Sequence, residues 1–124
     1  MPLLAALVLA LTPGIRTPTG NIACFVSHGT LRCQIAQAAY RPQLQRQCLT
    51  QASLDWHGFE LSRTERGGPS CSGGILPGPP SYRTLAYGSS WQAGGVSCTS
   101  RITGLTCTAG EHGLFISRAS WRGW

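Results

Sequence analysis

The side chains that could do chemistry are few: six cysteines, three histidines and four carboxylates (Asp55, Glu60, Glu65 and Glu111) in 124 residues. No Cys-x-x-Cys pair, the usual mark of structural zinc, occurs among Cys24, Cys33, Cys48, Cys71, Cys98 and Cys107. Their even number therefore reads as a disulfide framework, with no metal expected. Neither Ser89 nor Ser90 stands in a Gly-x-Ser-x-Gly setting, and no nucleophile sits beside a recognisable base, so no catalytic residue is assigned and no cofactor is expected. His57 and His112 are the two candidates to follow. Each opens a His-Gly segment, His57-Gly58-Phe59-Glu60-Leu61-Ser62-Arg63 and His112-Gly113-Leu114-Phe115-Ile116-Ser117-Arg118. If the two segments are related by a twofold axis, the imidazoles could share a metal ion or a proton. A metal would need a third ligand that the spacing does not place, and the plainer reading is that both open equivalent strands. Asp55 and Glu111 lie near them at unequal offsets, so no carboxylate pair follows, and His28 reads as a turn residue.

The elements that would carry these groups come from an internal repeat. Gly20-Asn21-Ile22-Ala23-Cys24 and Gly94-Gly95-Val96-Ser97-Cys98 are each followed, after eight intervening residues, by a second cysteine, Cys33 or Cys107. Ile22, Cys24 and Val26 share one face with Leu31, Cys33 and Ile35, while Asn21, Ser27, Thr30, Arg32 and Gln34 share the other, which is a strand period. Phe25 is the apolar exception. A two-residue turn at His28-Gly29 pairs Ser27 with Thr30 and makes Cys24 and Cys33 a non-hydrogen-bonded pair, with Cα atoms about 4.5 Å apart and within reach of a disulfide. The same count joins Cys98 to Cys107. Ile102-Thr103 is poor turn chemistry, so Gly104 is expected to hold a positive φ in a longer loop. Cys48 and Cys71 pair by elimination. In the chain-entropy model the two short cross-links contribute about 2.7 kcal/mol each and the longer one about 3.4 kcal/mol, comparable in sum with the whole stability of a small domain.

Between the halves, residues 66–80 are rich in Gly, Pro and Ser, and a loop is expected over about 64–84. Residues 36–51 tolerate a helix but contain Arg41-Pro42, so a short helix or turn at most is expected near 44–49. Residues 3–11 are an unbroken apolar run, too short to span a bilayer and followed by Thr12-Pro13-Gly14. No Lys or Arg precedes the run. Residues 1–16 are expected to be a signal peptide and 17–124 a single secreted β domain. The fold class is all-β, a small antiparallel barrel or sandwich built from two similar disulfide-bridged hairpin halves with little helix.

A formal charge of +6, with all ten basic residues arginine, speaks first to solubility and otherwise suits anionic partners: cell-envelope polymers, lipid head groups or acidic extracellular proteins. The arginines are scattered singly, which argues against nucleic acid. Trp56 and Trp91 read as core, whereas Trp121 and Trp124 near the C-terminus are candidates for a binding surface, although strand completion is the plainer reading.

The stretch Thr17-Pro18-Thr19-Gly20-Asn21-Ile22-Ala23-Cys24 with Leu31-Arg32-Cys33 is joined by a second block. That block runs Leu85-Ala86-Tyr87-Gly88, then Trp91, Gly94, Cys98, Ser100, Gly104 and Thr106-Cys107, then His112-Gly113 and Ser117-Arg118. Together they resemble an uncharacterised family of small secreted bacterial proteins, a domain of unknown function. The resemblance implies an exported, disulfide-bonded β domain and no particular activity. Glu111, Gln34 and the long gap between Cys48 and Asp55-Trp56 depart from the family pattern. The expected function is a secreted or envelope binding module without catalytic activity. An inhibitor of an extracellular hydrolase, a small enzyme using His57 and His112, and a purely structural envelope or spore-coat component are the alternatives. Peptide mapping without reduction should recover Cys24 joined to Cys33 and Cys98 joined to Cys107, and a link from Cys24 to any later cysteine would end the hairpin argument.

Overall fold

Alternating apolar residues and two tight turns decide the architecture. The computed structural model describes residues 13–71, 76 and 82–124; the apolar run at 3–11 and most of the glycine- and proline-rich segment at 72–81 lie outside the described residues. One sheet has the order β5-β4-β3-β2-β1-β6, from β1 (Gly14–Arg16), β2 (Ile22–Ser27), β3 (Thr30–Ile35), β4 (Phe59–Leu61), β5 (Gly68–Pro69) and β6 (Tyr82–Thr84). The other has the order β11-β10-β9-β8-β7, from β7 (Ser90–Ala93), β8 (Val96–Arg101), β9 (Gly104–Ala109), β10 (His112–Ile116) and β11 (Trp121–Gly123). Helix α1 spans Arg41–Ala52. Of the two architectures the sequence allowed, the molecule is a sandwich and not a closed barrel: two sheets share one core that takes Ile15, Leu31 and Phe59 from the first and Val96, Leu105 and Leu114 from the second.

Apart from β6, which has no counterpart, the strands of the first sheet match those of the second in order. Cys24 faces Cys33 in the β2–β3 ladder and Cys98 faces Cys107 in the β8–β9 ladder, each pair bridged with Cα atoms 4.0 Å apart. Phe59 lies opposite Cys33 as Leu114 lies opposite Cys107, and Ile15 lies opposite Cys24 as Trp91 lies opposite Cys98. The final strands also match: Ser70 N–H donates to Gly58 O at 2.7 Å and Trp124 N–H to Gly113 O at 3.1 Å. His28 and Gly29 have φ values of 52° and 77°, the doubly positive turn whose twist suits a two-residue hairpin. The second hairpin corrects the longer loop expected there. Arg101 pairs with Gly104, so Ile102-Thr103 is itself a two-residue turn, with the positive φ of 152° on Gly104 as anticipated.

Two other expectations are corrected. Arg41-Pro42 does not cut the helix, because Pro42 falls in the first turn, where its missing N–H has no partner to lose. The loop expected at about 64–84 holds two short strands, β5 and β6, both at sheet edges where Pro69 costs no ladder bond. The last residues of the expected signal segment, Gly14–Arg16, pair within the first sheet. Gly14–Arg16 lies between β2 and β6, Pro13 O accepts from Val26 N–H at 2.9 Å, and Ile15 is 0 % exposed. The strand escaped notice because three residues after Pro13 are too few to show a period.

Cys48–Cys71 is the disulfide without a counterpart. It ties α1, an insertion between β3 and β4, to the chain leaving β5; in the second half the same connection is a turn at Gly110-Glu111. A chain starting at Thr17 should be less stable than one starting at Pro13 by about 3 kcal/mol or more, the range for losing a fully buried large aliphatic side chain. Equal urea midpoints for the two would show that β1 is dispensable.

Candidate functional site

The two histidines stand at equivalent registers of separate sheets. His57 precedes the β4 residues that pair with β3 and lines a cleft of about 310 Å³ with Gln34, Arg41 and Trp56. His112 pairs with Ala109 at the start of β10, its Nδ1 lying 3.3 Å from Trp124 O. Among the described residues no hydrogen bond joins the two rings, and no group of three or more His, Cys, Asp or Glu side chains is placed to hold a metal ion. Asp55 is taken up by Gln45, whose Nε2 donates to Asp55 Oδ1 at 2.7 Å. His28 bonds its neighbour Ser27, with Oγ and Nδ1 2.9 Å apart.

The terminal tryptophans complete a strand. Trp121 pairs with Ile116, and its ring centroid lies 5.4 Å from that of Phe59, which bridges the two sheets. Trp124 lies over Gly113 so closely that any Cβ there would collide with the indole, and Arg122 sits over the same ring with its Cζ 5.3 Å from the centroid. Trp56 belongs to the core with Phe59 and Tyr40, donating from Nε1 to Gly58 O at 2.7 Å. Tyr40 fastens the inserted segment to the second sheet through its hydroxyl, which donates to Ser117 O at 2.8 Å. Burial pushes its ionisation up to about 12, against the opposing pull of the Arg41 guanidinium.

The site that sequence reasoning missed comes from comparing the two halves. Ser62-Arg63 and Ser117-Arg118 follow equivalent strands, and beside each lies a hairpin turn, residues 27–30 or 101–104. Each combination lines a cleft of about 400 Å³. In the first cleft Arg63 is laid across the opposing turns: a Cβ built on Gly95 would stand 3.5 Å from its Cδ, and one on Gly110 would stand 3.8 Å from its Nε. Glu60 and Glu65 line that cleft too, and Arg32 Nε meets Glu60 Oε1 at 3.3 Å.

In the second cleft Arg118 and Arg101 face no acid, and neither forms an ion pair among the described residues. Where the first cleft meets the tight Gly94-Gly95 turn, this one meets a five-residue β1–β2 loop. The loop is held by its own bonds: Asn21 Nδ2 donates to Gln37 O at 3.1 Å, Gln37 N–H donates to Asn21 Oδ1 at 2.8 Å, and Thr17 Oγ1 accepts from Ile22 N–H at 3.1 Å. Its wall is therefore rigid and internally satisfied. Arg101, Arg118, Gln37 and Tyr87 line the opening. The repeated Ser-Arg was the visible signal, but its two different surroundings were not.

The chain matches no protein-family model, no curated protein and no solved structure.

Tyr40 generates a pH prediction. Between pH about 10 and about 12 an exposed tyrosine of the unfolded chain gives up its proton while native Tyr40 keeps it, so the folded state binds more protons and stability falls as pH rises. Tyr82, also raised by burial, adds to that slope. Tyr40→Phe should cost about 1 kcal/mol below that window through loss of one hydrogen bond. Across the window its unfolding free energy should decline less steeply than the parent's, and parallel denaturation profiles would contradict the assignment.

Proposed function

We propose that this chain is an exported binding module of the secreted, disulfide-bonded kind it resembles, acting outside the cytoplasm by association and without turnover. The observation that carries the reading is the cleft beneath the β8–β9 turn, lined by no acid and by two arginines that form no ion pair among the described residues, on a cross-linked frame. A site whose walls are already bonded and stapled loses little conformational freedom on binding. Pairing of all six cysteines supports an oxidising compartment. Among the described residues no helix is long and apolar enough to cross a membrane.

One observation favours a second reading, a secreted inhibitor of an extracellular hydrolase. Ile102 is 84 % exposed at the tip of the Cys98–Cys107 hairpin, where an apolar side chain held by a rigid turn suits insertion into a partner's pocket.

Co-sedimentation of the secreted protein with purified envelope polysaccharide should show saturable, salt-sensitive retention, unchanged in a His57→Ala/His112→Ala double variant. An activity on envelope or secreted substrates that disappears with the histidines would replace this reading with the enzymatic one. Relief of inhibition of a secreted hydrolase by Ile102→Ser, with no retention of the parent on polysaccharide, would favour the inhibitor. Retention of no fraction by any variant would leave the structural role.

A further inference from the structure

We propose that the cleft beneath the β8–β9 turn is the ligand site of this module, and that its ligand is a sugar unit bearing an oxyanion, a carboxylate or a phosphate, within an acidic glycan. The inference rests on the binding reading above and specifies its site and its chemistry.

The molecule contains its own control. Arg63 and Arg118 occupy equivalent positions of the repeat, yet Arg63 spans two glycine turns in a cleft that also holds two glutamates, whereas Arg118 borders an opening that holds none. Both side chains are exposed and neither forms an ion pair among the described residues, so the two clefts differ in their acids. The second offers its donors no carboxylate, and Arg101 adds another guanidinium from the end of β8. Two such groups at one opening suit an oxyanion, because guanidinium groups bind carboxylates and phosphates bidentately.

The remaining lining selects the rest of the ligand. The Gln37 amide and Thr103 hydroxyl make no hydrogen bond among the described residues, and Tyr87, 45 % exposed, offers a ring face at the same opening. Hydroxyl and amide groups beside an aromatic face fit a polyhydroxylated ring better than a peptide anchor, which would seek an apolar, fully desolvated pocket. A volume of about 420 Å³ lies in the range of small-ligand sites and suits one or two sugar units. The wall opposite Arg118 is pinned by the paired Asn21–Gln37 bonds, so the opening exists before a ligand arrives.

Calorimetric titration of the secreted protein with α-1,4-trigalacturonate and with glucose 6-phosphate identifies the oxyanion. Maltotriose serves as the neutral control and triglutamate as the acidic peptide. Binding of either anionic sugar, weakened about tenfold by Arg101→Gln or Arg118→Gln and by Tyr87→Ala, supports the site. Arg46→Gln on the exposed face of α1 and Arg63→Gln in the equivalent cleft should bind as the parent does. An equal loss in Arg46→Gln would reduce the effect to net charge and overturn the proposal. Triglutamate binding as tightly as trigalacturonate would replace the glycan with an acidic peptide. If Arg101→Gln and Arg118→Gln leave retention on envelope polysaccharide intact, the module binds elsewhere and only this site fails; if the parent itself is not retained, the binding reading fails with it.

Discussion

Two cystines, each closed across a narrow antiparallel pair at a Cα separation of 4.0 Å, hold the rest of the molecule in place. A disulfide between directly opposed strands fits where the ladder brings the backbones closest, so each bridge selects one register. Register then decides which side chains are inside, because a slip of β3 by one residue against β2 would turn Leu31 and Ile35 out to solvent together. Both bridges lie in the core, where they are packing as well as cross-links. In a domain this small, constraining the unfolded chain supplements what the apolar core contributes.

On that duplicated frame, the candidate chemistry lies where the halves differ. The second half closes its connections with short turns at Gly94-Gly95 and Gly110-Glu111, whereas the first inserts α1 and lengthens the β1–β2 loop. The insertion needs anchors of its own, and it has the Cys48–Cys71 bridge, the Tyr40–Ser117 bond and the edge-to-face packing of Tyr40, Trp56 and Phe59. The longer loop opens the cleft beside Arg118. Tight turns in the equivalent place bring Arg63 down onto glycine instead. The Ser-Arg that follows each His-Gly strand thus has different surroundings in the two halves: glycine turns and glutamates about Arg63, no acid about Arg118.

Much of the frame was legible because it rests on short-range rules. Alternation at residues 22–35 and the His28-Gly29 turn each have one simple structural solution, and the structure adopts it. Elements whose formation depends on distant partners were not legible. Gly14–Arg16 becomes a strand only because β2 and β6 flank it, and α1 has few intrinsic helix signals beyond Pro42 in its first turn. Both are cases of tertiary contacts overriding weak local preference.

By itself, then, the sequence determined the two hairpins, their cross-links, the inward set of side chains and the likeness of the two halves, all of which follow from backbone periodicity and disulfide geometry over a few residues. Tertiary structure alone decided what each repeated side chain faces. It separated His57 from His112 by placing them on different sheets, put Trp121 against Phe59 and Trp124 over Gly113, and left Arg118 at an acid-free opening while seating Arg63. The physical reason is that a side chain's partners across a sandwich are set by how loops of unequal length meet at its ends, and no local pattern encodes that meeting.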